Sequence, residues 1–204
     1  MIDNKNTIEN LVQPDHPNWV PPIIVPFNRF NTNEPATLHS ICSPLTSVDL
    51  ETITQICRSP LVYNILFVHL PFIVERSGPH PRYTVHDAQT WVNTVVSNWR
   101  ATTAFAFAVR DQSDRIIAAL DIKSPDLEEA EIGYWADPEN PGYITNAVIA
   151  LAQKAKSAGF KKLFGLIVPD NIRSIRVVTR AGFTSEGTVS KDKDYLKFSR
   201  ILYQ

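Results

Sequence analysis

Glu131-Ile132-Gly133-Tyr134-Trp135-Ala136-Asp137-Pro138, continued by Glu139-Asn140-Pro141-Gly142 and then Tyr143-Ile144-Thr145-Asn146-Ala147, is the stretch on which the reading of the fold turns. Aromatic and β-branched residues up to Ala136 make a strand, and the Asp, Pro, Asn and Gly that follow make a turn. Beyond the turn Ile144, Ala147, Val148, Leu151, Ala152 and Ala155 recur at helical spacing, which predicts a helix from about Tyr143 to Ala158. Gly159 is placed to end it in the left-handed conformation. A strand at Leu163–Val168 and a helix from Asn171 to Ala181, stopped at Gly182, come next, so this half alternates strand and helix. A helix that opens directly after a strand presents unpaired N–H groups and a positive dipole end, which is an anion site in outline.

Upstream the pattern differs. Thr37–Ser43 reads as a first strand, and Thr46-x-x-Asp49 as a capping-box start for a helix that turns Leu50, Ile53, Ile56 and Cys57 inward before Ser59-Pro60 ends it. An irregular, Pro-containing stretch is expected through Arg82. Thr84-x-x-Asp87 then opens a second helix whose buried stripe is Ala88, Trp91, Val92, Val95 and Trp99. Phe105–Arg110 and Arg115–Ile122 flank the polar turn Asp111–Asp114 as a hairpin. At the other end Thr184–Val189 and Tyr195–Leu202 read as a closing hairpin. Residues 1–36, with Pro14, Pro17, Pro21, Pro22, Pro26 and Pro35, read as a proline-rich arm, and Trp19, Val20, Ile23, Ile24, Val25 and Phe27 suit it to docking on a domain formed by 37–204.

Composition narrows the function. The chain has 204 residues, 44% of them hydrophobic and 20% charged, which fits one packed domain. A formal net charge of -1 with dispersed Lys and Arg lacks the basic stripe of a nucleic-acid binder. Runs such as Leu61–Leu70 are too short to cross a bilayer, and Met1–Asn10 lacks the basic start and apolar stretch of a signal peptide, so a cytoplasmic protein without a membrane partner is expected. The two cysteines, Cys42 and Cys57, read as packed thiols, and the five histidines show no metal-ligand spacing, so no metal is expected.

Four segments in order, Glu131–Pro138, Gly142–Ala147, Pro169-Asp170-Asn171-Ile172-Arg173-Ser174 and Ala181-Gly182-Phe183, resemble the core of the GNAT superfamily of N-acetyltransferases, nearest to its ribosomal-protein N-terminal acetyltransferase (RimJ/RimL-like) branch. The hairpin Phe105–Ile122 and the tract Tyr83–Ala88 suit that branch, and the similarity runs from about Thr37 to Leu202. The resemblance implies an α+β fold, layered α/β/α, with a mixed, mostly antiparallel sheet and one parallel, splayed strand pair. It also implies acetyl-CoA as co-substrate. Backbone groups of Tyr134, Trp135 and Ala136 are then expected along the pantetheine and thioester, and Gly142, Tyr143, Ile144 and Thr145 at the pyrophosphate. Asn171 matches the family's pantetheine-binding Asn; as a residue it is equally a helix N-cap.

Acetyl transfer needs a neutral amine, a stabilised oxyanion and a proton for the leaving thiolate. Many members of the family carry a Tyr seven positions after the Asn, where this chain has Val178; Ser174 matches the Ser of the ribosomal-protein branch and is the candidate thiolate partner. Glu131 is the candidate base, acting through water. Asp126, Glu128 and Glu129 read as a solvated acidic loop, and Tyr195 as a secondary acid. The phosphate turn departs from the family's Arg/Gln-x-x-Gly-x-Gly/Ala: only Gly142 remains, Pro141 has no N–H and Glu139 adds a like charge. Two functions stay open, an N-acetyltransferase acting on a small-molecule or N-terminal amine, as a monomer or homodimer, and a GNAT-fold binding module with weak or no catalysis.

Overall fold

The computed structural model describes residues 16–66 and 83–203. Within them an eight-stranded sheet runs in the order β1-β2-β3-β4-β5-β6-β8-β7. Its strands are β1 (Ile24–Asn28), β2 (Pro35–Ser40), β3 (Phe105–Arg110), β4 (Ile116–Ile122), β5 (Ala130–Ala136), β6 (Lys162–Ile167), β7 (Thr184–Ser190) and β8 (Asp194–Ile201). All neighbours are antiparallel except β5 and β6. Helices α1 (Ser47–Arg58), α2 (Pro60–Leu66) and α3 (Val85–Ala101) cover one face, while α4 (Ile144–Ser157) and α5 (Ile172–Arg180) cover the other. This is the mixed, layered α+β fold with one parallel pair.

Side-chain size differs between the two faces. On β3, Phe105, Phe107 and Val109 alternate with Ala106 and Ala108, all buried. Register carries the difference across the sheet, since Phe107 pairs with Leu120, Ala108 with Ala119 and Ala106 with Asp121, which in turn pairs with Gly133. Directly opposed residues share a face. The large side chains therefore meet α4, where Ala147, Leu151 and Ala155 are fully sealed. The α1–α3 face has a floor of alanine and glycine. Ile53, Val92 and Ile41 fill it over β3, and over β4 and β5 it is left hollow.

The helix starts read from the sequence are built as capping boxes: Thr46 and Thr84 each accept from the backbone N–H three residues on, and the Asp49 and Asp87 carboxylates accept from the cap backbone. Asp49 also holds Arg110 through two hydrogen bonds of 3.0 and 3.1 Å, tying α1 to the end of β3. Three readings change. Pro60–Leu66 is a helix, because proline is tolerated at a helix's first position, where its missing N–H leaves no bond unmade; the rest of the stretch expected to be irregular, with His69 and His80, lies outside the described residues. The sheet starts one strand earlier, as Ile24–Asn28 pairs along Pro35–His39. The acidic loop is exposed at Asp126 and Glu128, as read, but also tied down: Glu128 pairs with Lys161, and Glu129 with Lys162 and Lys197 at 2.8 and 2.9 Å.

Trp19 lies among Trp99, Phe105, Phe107 and Phe160, with ring centroids 5.5–6.0 Å apart. Trp19→Ala is expected to cost about 2–3 kcal/mol, at the low end for a deleted aromatic because the ring is half-buried. Urea unfolding measures it, and a loss below about 0.5 kcal/mol would show that the segment before β1 contributes nothing to the core.

Candidate active site

The β5–β6 pairing lasts for two residue pairs, Ala130 with Leu163 and Glu131 with Phe164. β5 then follows β4 as far as Ala136, and β6 follows β8 as far as Ile167. The β4–β5 register has no break, so divergence, and not a bulge, opens the sheet. A cavity of about 490 Å3 lies beside the end of β5, between α2, the α4 start and α5. Tyr134, Trp135, Ala136, Gly142, Tyr143, Ile144, Asn171 and Ser174 line it, all from the sequence-derived set. Thr145 is buried behind them and Glu131 stands outside the lining, in an ion pair with Lys123.

Tyr134 spans the divergence. Its hydroxyl donates to the Ser174 carbonyl at 3.2 Å, and burial pushes the phenol up to about 12, so it stays protonated. Asn171 caps α5, its Oδ1 accepting from the Ser174 N–H at 3.1 Å. Val178 is buried, and Tyr195 meets Asp192 on the exposed β7–β8 turn, away from both cavities described here.

At the other end, α4 begins without a side-chain cap and with no acidic residue in its first turn. Its first N–H groups and dipole therefore face the cavity uncompensated. The turn before it is shaped by Asp137, whose carboxylate accepts from the Glu139 N–H and from Asn140 Nδ2. Gly142 sits at φ +97°, a conformation that favours glycine. The β1–β2 turn holds this loop from behind. Arg29 Nε donates to the Pro141 carbonyl, the Phe30 N–H to the Gly142 carbonyl, and Tyr143 Oη to Glu34. Arg173, Arg176 and Arg180 of α5 line the same cavity, bringing positive charge where the turn lacks glycine N–H groups. Sequence reading missed these arginines, although their spacing on a nine-residue helix is the available signal.

A second cavity of about 470 Å3 lies on the hollow α1–α3 face, over Ala119, Asp121, Gly133 and Trp135. Leu66, Tyr134 and Trp135 border both cavities. Trp91 of α3 meets Trp135 edge to face at 6.0 Å. Cys57 also faces this space, but burial pushes its thiol up to about 12, so it is no nucleophile. Asp121 was not singled out from the sequence; a lone carboxylate inside the apolar run Ile116–Ile122 was the signal.

The sequence model of the acetyltransferase (GNAT) domain matches residues 41–184. No curated protein matches the chain by sequence. Among solved structures, RimJ of Mycobacterium smegmatis in complex with CoA-disulfide superposes with a TM-score of 0.71 at 18% identity, covering 91% of this chain and 90% of that one. The Salmonella typhimurium acetyltransferase that modifies the N-terminal serine of ribosomal protein L7/L12 gives 0.66 at 17%, covering 88% and 99%. The microcin C7 self-immunity acetyltransferase MccE, in complex with acetyl-CoA and AMP, gives 0.63 at 21%, covering 83% and 93%. The chain belongs to the GNAT acetyltransferase family, a class of acyl-CoA-dependent N-acetyltransferases.

Arg29→Ala removes one clamp on the turn before α4. It is expected to weaken acetyl-CoA binding about two- to tenfold, the worth of one hydrogen bond. Calorimetric titration reads it, and an unchanged affinity would mean the turn holds its shape without the β1–β2 buttress.

Proposed function

We propose that the chain transfers an acetyl group from acetyl-CoA to a primary amine, on a small molecule or at a protein N-terminus, by direct attack on the thioester. The observation that carries this is the cavity beside the end of β5, with an uncapped helix start on one side and Asn171, Ser174 and three arginines of α5 along another. A polyanionic, extended ligand matches that polarity. Backbone groups of Tyr134–Ala136 hold the pantetheine and thioester, Gly142–Thr145 receive the pyrophosphate, and Asn171 adds its side-chain amide. The acetyl-CoA and CoA-disulfide held by MccE and RimJ support the choice of ligand.

In the reaction the amine lone pair forms the N–C bond at the thioester carbonyl. The C–S bond then breaks, and its electrons leave on sulfur. Ser174, at the start of α5, donates a hydrogen bond to the thiolate, which finally takes up the proton that the nitrogen gives up. Glu131 takes the amine proton through water, since its carboxylate is held by Lys123 outside the cavity. No helix among the described residues is long and apolar enough to cross a membrane, and we place the reaction in the cytoplasm. A binding module with little turnover is the second reading, favoured by the buried Val178 where many relatives carry the acid.

Acetyl-CoA at 100 times its Kd should stabilise the fold by about 2.7 kcal/mol, seen as a thermal shift. Thiol release with an amine panel should show turnover, and Ser174→Ala should lower kcat about 100-fold with binding intact. A thermal shift without turnover on any amine selects the binding module; no shift at millimolar acetyl-CoA removes both readings.

A further inference from the structure

The second cavity abuts the first at Tyr134 and Trp135, so an amine seated in it lies next to the expected thioester position. What the cavity offers a ligand follows from which of its polar groups are already engaged. The Thr90 and Thr94 hydroxyls donate to the His86 and Thr90 carbonyls of their own helix, and the Asp87 carboxylate serves the α3 capping box. Asp121 is different. Its Oδ1 is sealed from solvent and makes no well-formed hydrogen bond among the described residues.

Charge points the same way. Asp121 and Glu131 stand beside a single Lys123, and Lys123 is paired with Glu131. With Asp121 ionised, the group carries one negative charge more than Lys123 can balance. Burial raises the Asp121 carboxyl above its ordinary value, with Glu131 adding to that, while Lys123 and the Gly133 backbone pull it down. A carboxylate left in this state costs stability unless something cationic joins it. Gly133 opens the space for it: a Cβ there would lie 2.6 Å from Asp121 Oδ1 and 2.9 Å from Lys123 Cε. Trp91 and Trp135 supply aromatic wall, which suits both an apolar body and a cation.

Resting on the acetyltransferase reading above, we infer that the acceptor is a compact cationic amine with an aromatic or apolar body, and that Asp121 is the group that receives its ammonium head, which releases one proton to solvent water before the lone pair attacks. An N-terminal peptide fits less well, because its carbonyls need donors and the threonine protons are already given to α3 carbonyls. The volume of about 470 Å3 is that of a small-molecule site.

Phenethylamine and 2-phenylethanol differ in charge and little in shape, and tryptophan quenching compares their binding without acetyl-CoA. The amine is expected to bind at least about tenfold tighter. Asp121→Asn, and Gly133→Ala, which keeps the charge but displaces the carboxylate, should each erase that preference and raise KM for phenethylamine at least about tenfold, with acetyl-CoA stabilisation unchanged. A structural role would move stability the other way. A carboxyl raised on folding costs nothing below its unfolded pKa and its full penalty above the folded one. Asp121→Asn should therefore raise the Tm of the free protein at pH 8, with the gain fading in acid; Lys123, Glu131 and, across the cavity, Asp87 are the charged neighbours that set its size. Equal binding of amine and alcohol, a preference that survives Asp121→Asn, a lowered Tm at pH 8, or faster turnover of short Ala- or Ser-initiated peptides than of phenethylamine would overturn the assignment. Loss of acetyl-CoA binding in the wild type would instead sink the function proposed above, and quenching would still report on the cavity.

Discussion

Backbone hydrogen bonding is nearly obligatory in a sheet, and β5 and β6 give it up after two residue pairs. Each strand is committed on its other side, β5 to β4 through Ala136 and β6 to β8 through Ile167, so the divergence is held from both flanks. The cleft, the position of α5 over it and the exposure of the α4 start all follow from that opening. Tyr134 shows how it is kept from collapsing: one phenol reaches from β5 to the first turn of α5, and burial keeps its proton in place for that hydrogen bond.

A second feature is the unequal height of the two sheet faces. Phenylalanine and leucine fill the α4 side, while Ala106, Ala108, Ala119 and Gly133 leave the opposite side low. Over β3 the helices close onto the alanines. Over β4 and β5 the same low floor stays open, and the one carboxylate in it stands without a well-formed partner. Buried charge of this kind weakens a fold, and proteins tend to tolerate it where binding needs it.

Much of this was legible. The strand, turn and helix around Glu131–Ala155 announce themselves by period and by Gly142 and Gly159, and both Thr-x-x-Asp boxes became helix caps because the interaction is local. Asn171 could be read as an N-cap for the same reason. Pro60–Leu66 misled because proline signals a break and also a start, and only packing against α1 and β5 decides between them. The strand Ile24–Asn28 was hidden by prolines, which an edge strand accommodates. The ion pairs of Glu128 and Glu129 were hidden because their partners lie more than thirty residues away, at Lys161, Lys162 and Lys197.

The turn before α4, Glu139-Asn140-Pro141-Gly142, looked poor in donors as a string of residues. In space it is braced by Arg29 and Phe30 and faced by the arginines of α5, contacts between segments that sequence order keeps far apart. By itself the sequence determined most of the element types, though not the helix Pro60–Leu66 or the strand Ile24–Asn28, together with the order of the motifs and the family to which they belong, because periodicity, caps and turns act over a few residues. The tertiary structure alone decided that the β5–β6 pair splays after Glu131, that the arginines of α5 line the same cavity as the α4 start, and that Asp121 is set against Gly133 in an aromatic cavity. Each of these depends on register and on the facing of strands, and no local pattern encodes either.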